Sequence, residues 1–268
     1  MEQQPPSDGS GASTLRLTAG ASRLDGRFGY LAHVPRDLPQ SPQTLVVVHG
    51  SDFRHELVCR YFGALADETG CVVLAPRFAP SGIANPDPDG FKFLRSSHAA
   101  YDRVLLDMVD AVGEQFGCAR ERFFLFGFSG GAQFAHRFLY VHPTRLHAVS
   151  IAAPGMVTVI DPGRGAWVGT KGLGALCGNE LDLQAARGVN VQLLVGSRDA
   201  RPHVGGAGQE SYNYAGANRV ERLRTLQVNY QLHGIDVAHH VVAGVDHEFE
   251  PLAAAAVPFL RQRIAALC

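Results

Sequence analysis

Residues 122–136 read RFFLFGFSGGAQFAH, and this stretch decides the fold. An apolar run at 123–126 is followed by Gly127-Phe128-Ser129-Gly130-Gly131, and a helical pattern begins near Ala132. A serine between glycines at such a junction predicts a sharp strand-to-helix turn that points the hydroxyl out of the sheet, with strained backbone angles at the serine. Side chains at positions 127 and 131 would collide in so tight a turn, which explains both glycines.

The remainder of the chain alternates short apolar runs with longer helical patterns. Candidate strands lie at 15–17, 28–32, 44–48, 71–74, 123–126, 148–151, 191–195 and 237–242, and candidate helices at 57–69, 98–116, 132–141, 219–233 and 252–266. Runs such as 44–48 are apolar on both faces, as is typical of strands buried between helix layers. The sequence therefore predicts an α/β fold, with a mostly parallel twisted sheet of about eight strands flanked by helices.

Three segments depart from this alternation. Residues 1–13 are rich in Pro, Gly, Ser and Gln, and we expect them to be disordered ahead of one domain at 14–268. Residues 79–90 form a Pro-, Gly- and Asp-rich loop. Residues 155–188 are Gly-rich and contain the single Trp, which predicts an irregular, lid-like excursion between the sixth and seventh strands.

Composition excludes several classes of protein. The 268 residues are 46% hydrophobic with a formal charge of −1, which rules out a disordered chain and gives no basic excess for binding nucleic acid. No apolar run approaches the roughly 20 residues that cross a bilayer, and no secretory signal pattern opens the chain, so we expect a cytoplasmic protein without a membrane partner. Five scattered cysteines without a C-x-x-C pair argue against a disulfide framework. Metal and dinucleotide motifs are absent from the sequence, so we expect no metal and no cofactor.

A serine hydroxyl is a weak nucleophile near neutral pH and needs a base, which in turn needs an orienting acid. Asp199 follows the strand at 191–195 after a glycine turn, and His247 follows the strand at 237–242. Both therefore lie just past the carboxyl end of a parallel strand, as Ser129 does. We predict Ser129 as nucleophile, His247 as base and Asp199 as acid.

Several other residues remain alternatives for these roles. For the acid they are Asp161, Glu180 and Asp182 in the excursion, and for the base they are His233, His239, His240 and His49. Histidines inside strands are more often hydrogen-bonded structural residues than catalysts. Asp246, beside His247, is expected to cap its loop.

An acyl-transfer site also needs donors for the developing oxyanion. The backbone N–H groups of Gly130 and Ser51 are the predicted pair, with Asp52 as the alternative to Ser51. His49 is expected to brace this loop by hydrogen bonds. Candidate substrate contacts, each with simple packing or solvation as the alternative, are Asp52, Phe128, Met156 and Trp167.

The ordered set His49-Gly50, Gly127-x-Ser129-x-Gly131, Gly196-x-x-Asp199 and Gly244-x-x-His247 resembles the α/β-hydrolase family. Residues 153–158 (APGMVT) and 172–174 (GLG) are similar to its polyhydroxybutyrate depolymerase and feruloyl esterase branch. Members of that branch are often exported and disulfide-bonded, and the sequence departs from them there. The departure argues against a polymeric extracellular substrate.

The resemblance implies a serine hydrolase that cleaves a small carboxylic ester through an acyl-enzyme. A serine-dependent thioesterase, amidase or carbon–carbon hydrolase remains an alternative, because the same three residues serve all of these reactions. A hydrolase-like binding protein without turnover is a further alternative, although it would be expected to lack one of the three. The sequence predicts no oligomeric state.

Overall fold

The computed structural model describes residues 16–79, 87–202 and 213–267. The predicted disordered segment 1–13 and most of the predicted loop 79–90 lie outside these ranges. The strands are β1 (Leu17–Ala21), β2 (Gly29–His33), β3 (Thr44–Val48), β4 (Val72–Pro76), β5 (Phe123–Phe128), β6 (Leu146–Ala152), β7 (Asn190–Gly196) and β8 (Val237–Val242).

These strands form one sheet in the order β1-β2-β4-β3-β5-β6-β7-β8. Strand β2 runs antiparallel to both of its neighbours, β1 and β4, and every other neighbouring pair is parallel. The carboxyl ends of β3, β5, β7 and β8 therefore share one edge. The predicted mostly parallel sheet of eight strands is confirmed.

The helices are α1 (His55–Tyr61), α2 (Gly63–Thr69), α3 (Tyr101–Phe116), α4 (Gly130–Val141), α5 (Leu173–Cys177), α6 (Leu183–Ala186), α7 (Arg219–Leu232) and α8 (Phe249–Ala265). Glycines end α2 and α3 in the left-handed conformation, with φ of 72° at Gly70 and 73° at Gly117. A side chain is strained at such angles, so both predicted stops have a steric basis. No helix in the described residues is long and apolar enough to cross a membrane.

The single helix predicted at 57–69 is wrong, because the structure divides it into α1 and α2 at Phe62. The backbone of Phe62 leaves the helical region, with φ of −83° and ψ of 1°. Its fully buried ring packs against Phe126 of β5, with the centroids 4.9 Å apart. Burial of an aromatic side chain contributes about 1.5–3 kcal/mol, which offsets the interruption of the helix.

The core follows the central strands. All residues of β3, β4 and β5 are buried, which accounts for runs that are apolar on both faces. Helix α4 packs on β5 and β6, and α8 packs on β6 and β7. This packing fixes the ends of the strands that carry the candidate site.

The excursion at 155–188 contains the short helices α5 and α6 and is anchored to the body of the protein. Buried Arg137 of α4 donates from Nε to Thr158 Oγ1 at 3.0 Å. Its guanidinium carbon lies 4.6 Å from the ring centroid of Phe93 and 5.4 Å from that of Trp167. The lid role of the excursion stays a prediction.

Candidate active site

Ser129 occupies the turn between β5 and α4 in a conformation that side chains rarely adopt, with φ of 55° and ψ of −109°. The two flanking glycines are required by close backbone contacts. A Cβ at Gly127 would lie 2.1 Å from the Gly131 oxygen, and a Cβ at Gly131 would lie 2.2 Å from the Val48 oxygen. The strained, glycine-flanked turn predicted from the sequence is therefore present, and it holds Ser129 at the sheet edge.

The loops that carry Asp199 and His247 are bonded to each other. Strands β7 and β8 pair in parallel up to Gly196 and Val242. Beyond them, the Arg198 N–H donates to the Val245 oxygen at 2.8 Å. A Cβ at Gly196 would lie 2.4 Å from that same Val245 oxygen, so only glycine allows the two loops to approach this closely.

Ser129, His247 and Asp199 form one hydrogen-bonded row. His247 Nε2 lies 2.9 Å from Ser129 Oγ, and His247 Nδ1 lies 2.8 Å from Asp199 Oδ2. A carboxylate only accepts hydrogen bonds, so the Nδ1–H donates to Asp199 and Nε2 accepts from the serine hydroxyl. The Phe128 ring stacks on the imidazole at 4.9 Å between centroids. This arrangement can move a proton away from Ser129.

Asp199 is buried, with 3% of its surface exposed. Desolvation raises the pKa of its carboxyl, but the hydrogen bond from His247 and the positive charge of Arg219 outweigh it, so the pKa lies below its ordinary value. The Arg219 Nη1–H donates to Asp199 Oδ1 at 3.0 Å. The carboxylate is therefore charged at neutral pH.

The candidate oxyanion loop after β3 lies against the start of α4. Ser51 Oγ lies 3.0 Å from the point where a Cβ of Gly130 would be, and Ser129 Cβ lies 3.7 Å from the corresponding point of Gly50. Gly130 is the first residue of α4, so its N–H has no acceptor within the helix. The assignment of the Ser51 and Gly130 amides as oxyanion donors stays a prediction.

His49 braces this loop, as expected from the sequence. Its Nδ1–H donates to the Gly50 oxygen at 2.7 Å, and its Nε2 accepts from the Phe78 N–H at 3.2 Å. Complete burial lowers the pKa of the imidazole to about 4. His49 is therefore a neutral structural side chain, and both of its nitrogens are occupied.

The four predicted substrate contacts lie in different surroundings. Asp52 is exposed and paired with Arg54, whereas Phe128 and Met156 are buried. Trp167 is partly exposed, with its ring centroid 5.9 Å from that of Phe93. Contact of these side chains with substrate stays a prediction.

Three of the alternative acids and bases, Asp161, Asp182 and His233, are engaged elsewhere. Asp161 accepts from the Gly163 N–H, and Asp182 caps α6 by accepting from Ala185 N. His233 Nδ1 bonds the Asn229 oxygen at the end of α7. Among the described residues, none of the rival acids and bases shares a hydrogen bond with Ser129 or His247. Asp246 accepts from the backbone N–H of His247, which is the capping role expected of it.

Two charged side chains at the site were not identified from the sequence. Arg219 comes from the first turn of α7, twenty residues after Asp199. Lys92 lies in a 3-10 helix at Gly90–Phe93, where its ammonium pairs with Asp89 and its Cε lies 3.2 Å from the Cβ position of Gly130. Asn218 marks the start of a helix at Arg219, but no motif in the sequence links Arg219 or Lys92 to Ser129, His247 or Asp199.

No model of a known protein family matches the chain, and no curated protein matches it by sequence. Solved structures do match. A poly(aspartic acid) hydrolase from Sphingomonas sp. KT-1 superposes with a TM-score of 0.73 at 17% identity, over 90% of this chain and 97% of that one. A poly(3-hydroxybutyrate) depolymerase from Bordetella parapertussis gives 0.72 at 18% identity, over 95% and 94% of the two chains.

A ferulic acid esterase from Anaeromyces mucronatus gives a TM-score of 0.61 at 13% identity, over 98% of this chain and 95% of that one. These similarities show that the chain has the α/β-hydrolase fold, as the order of its motifs predicted. At such low sequence identities, these structural similarities are evidence for the fold only. Its chemistry therefore has to be argued from the site.

Proposed function

We propose that the protein is a serine hydrolase that cleaves carboxylic esters through an acyl-enzyme intermediate. The observation that carries the proposal is the row Ser129 Oγ, His247 Nε2, His247 Nδ1 and Asp199 Oδ2, with heavy-atom separations of 2.9 and 2.8 Å across its two hydrogen bonds. Such separations are within the range in which a base takes a proton from a nucleophile. The strained turn at Ser129 presents the hydroxyl at the open sheet edge.

In the first step Ser129 Oγ attacks the ester carbonyl carbon while its proton passes to His247 Nε2. The carbonyl π electrons move to the oxygen, where the Gly130 and Ser51 N–H groups stabilise the negative charge. Asp199 stabilises the imidazolium that forms. When the tetrahedral intermediate collapses, the alcohol leaves with the proton from Nε2, and Ser129 remains acylated.

In the second step a water molecule replaces the alcohol. His247 Nε2 takes a proton from the water as its oxygen attacks the acyl carbon. Collapse breaks the bond to Ser129 Oγ, which regains its proton from the imidazolium, and the carboxylic acid is released. The site thus returns to its starting protonation state.

Structural relatives support the choice of ester substrates. Two of them are named as a poly(3-hydroxybutyrate) depolymerase and a ferulic acid esterase. The relative named as a poly(aspartic acid) hydrolase keeps the amidase alternative open. We propose a small ester as the substrate, with a thioester, amide or carbon–carbon bond as the alternative to be tested.

The experiment measures hydrolysis of short-chain p-nitrophenyl esters and labelling by a fluorophosphonate probe. We expect the wild type to show both, and Ser129→Ala and His247→Ala each to lose nearly all turnover, because nucleophile and base act as a unit. Ser97→Ala and His240→Ala change exposed side chains of the same types and should behave as wild type.

Half or more of the wild-type activity in either Ser129→Ala or His247→Ala would overturn the assignment. Labelling of Ser129 without cleavage of any oxygen ester favours the thioesterase, amidase or carbon–carbon alternative. A folded wild type that neither reacts with the probe nor cleaves esters favours a binding protein. A panel of acyl-chain lengths, aryl esters, hydroxyalkanoate oligomers and thioesters then defines the substrate.

A further inference from the structure

Arg219 reaches the candidate site from an element that carries none of the other site residues. It is the first residue of α7, whose N-cap Asn218 accepts from the Glu221 N–H through its side chain. From there its Nη1 donates to Asp199 Oδ1 at 3.0 Å. Only 17% of the Arg219 side chain and 4% of the Asp199 side chain are exposed. The pair is therefore largely shielded from water, which strengthens its interaction.

The two oxygens of Asp199 are divided between two partners. Oδ2 accepts from His247 and Oδ1 accepts from Arg219. With both oxygens held, the carboxylate cannot rotate away from the imidazole without breaking a charge-assisted hydrogen bond. The direction of the Asp199 carboxylate sets the direction of the His247 ring, and hence the position of Nε2 relative to Ser129.

We propose that Arg219 is a positioning residue of this hydrolase, which acts through Asp199 to orient His247. The inference rests on the proposed function, because orientation matters only if His247 is a base. Arg219 does not touch the reacting atoms.

The charge of Arg219 also acts on Asp199. Although desolvation raises the pKa of the Asp199 carboxyl, the hydrogen bond from His247 and the charge of Arg219 lower it below its ordinary value. Arg219 therefore helps to keep Asp199 a charged acceptor for the His247 Nδ1–H. Among the described residues, the other charged groups that line the cavity beside Asp199 and His247 are Asp246, Glu248 and Arg201, and Arg201 is paired with Asp246.

Arg201 lines the same site and provides a matched control. It pairs with Asp246 at 2.6 Å, but 83% of its side chain is exposed. Removing the positive charge of Arg201 changes the net charge of the site as much as removing the positive charge of Arg219. Because solvent screens this charge and Arg201 pairs with Asp246 instead of Asp199, Arg201→Gln should leave kcat and KM close to wild type.

The test compares wild type, Arg219→Gln, Arg219→Lys and Arg201→Gln. The measurements are kcat and kcat/KM for a p-nitrophenyl ester from pH 4.5 to 9, the rate of fluorophosphonate labelling over the same range, and thermal melting. For Arg219→Gln we expect kcat to fall about tenfold, from looser orientation of His247, while KM stays within about twofold of the wild-type value because Arg219 acts only through Asp199. Arg219→Lys retains the charge but not the planar guanidinium, so it should recover part of the lost kcat.

A purely structural role would lower the melting temperature while the folded variant keeps the wild-type kcat, and this result in Arg219→Gln overturns the inference. A wild-type kcat with a wild-type melting temperature overturns it as well. If Arg219→Gln does not fold, Arg219→Lys decides: a reduced kcat at an unchanged KM supports the inference, and a wild-type kcat refutes it. Failure of the proposed function is distinguished by the wild type itself, which would then not cleave the ester.

Discussion

The loops that carry Asp199 and His247 pack closely at Gly196, and Gly196→Ala tests whether that packing maintains the site. A Cβ at this position would lie 2.4 Å from the Val245 oxygen and 2.5 Å from the Asp246 oxygen. Gly196 is not among the glycines with positive φ, so alanine meets no backbone strain of its own there. The substitution therefore adds one steric clash between the two loops.

The expected loss of activity in Gly196→Ala can be worked out from the distances around the added Cβ. An ordinary van der Waals contact begins at 3.4 Å, so the loops must separate by about 1 Å. A displacement of that size takes the His247 to Ser129 separation from 2.9 Å past the limit of a hydrogen bond. A misplacement of about 1 Å reduces the rate about 100-fold, or about 2.7 kcal/mol of transition-state stabilisation. Overpacking should also lower the free energy of unfolding by about 1–3 kcal/mol.

The assay is kcat/KM for a p-nitrophenyl ester, together with thermal melting to show that the variant is folded. Gly165→Ala is the matched control, because its Cβ would meet nothing within 4 Å and should leave activity unchanged. If Gly196→Ala melts as a folded protein and keeps kcat/KM within threefold of wild type, the two loops do not maintain the site and the reasoning is refuted.

Two further predictions concern stability. Burial lowers the pKa of His49 to about 4 from 6.5, so the unfolded chain binds a proton first, and the free energy of unfolding should fall by about 3 kcal/mol as the pH drops from 6.5 to 4. Urea denaturation at several pH values in this range should show that the free energy of unfolding falls less steeply with decreasing pH in His49→Gln than in the wild type. Equal pH dependence in the two proteins would contradict the assignment of His49 as a buried, neutral side chain. Asp102→Ala should lower the free energy of unfolding by about 3 kcal/mol, because the fully buried Asp102 carboxylate pairs with the buried His142 at 2.8 Å. As a control, Glu56→Ala breaks the exposed ion pair with Arg60 and should change the free energy of unfolding by less than about 1 kcal/mol. If the two substitutions changed the free energy of unfolding equally, burial would not be what makes the Asp102 pair important.

The turn at Ser129 could be predicted because its causes are local. A side chain at Gly127 would meet the Gly131 oxygen four residues later, and an apolar run and a helical pattern adjoin the turn directly. Gly131 itself is required by the Val48 oxygen of β3, a contact that only the tertiary structure shows. The positions of Asp199 and His247 could be predicted for a different reason. Each follows a run that is recognisably a strand, and the carboxyl ends of parallel strands meet at one edge of a sheet.

Phe62 shows where sequence patterns were insufficient. Residues 57–69 have the composition of one helix, and Gly63, directly after Phe62, is a local signal that weakens such a helix without fixing a break there. The break accompanies the packing of the Phe62 ring against Phe126, a residue on a strand more than sixty positions later in the chain. A pattern of neighbouring residues carries no information about such a contact.

By itself, the sequence determined the alternating strands and helices, the strained turn at Ser129 and the strand ends that bear Asp199 and His247, because short-range sterics and apolar periodicity govern these features. Only the tertiary structure decided which histidine faces Ser129, how Ser51 lies beside Gly130, and that Arg219 holds the second oxygen of Asp199. The physical reason is that hydrogen bonds and ion pairs depend on distances of a few ångströms between residues far apart in the chain. Such distances are set only when the loops at the sheet edge pack together.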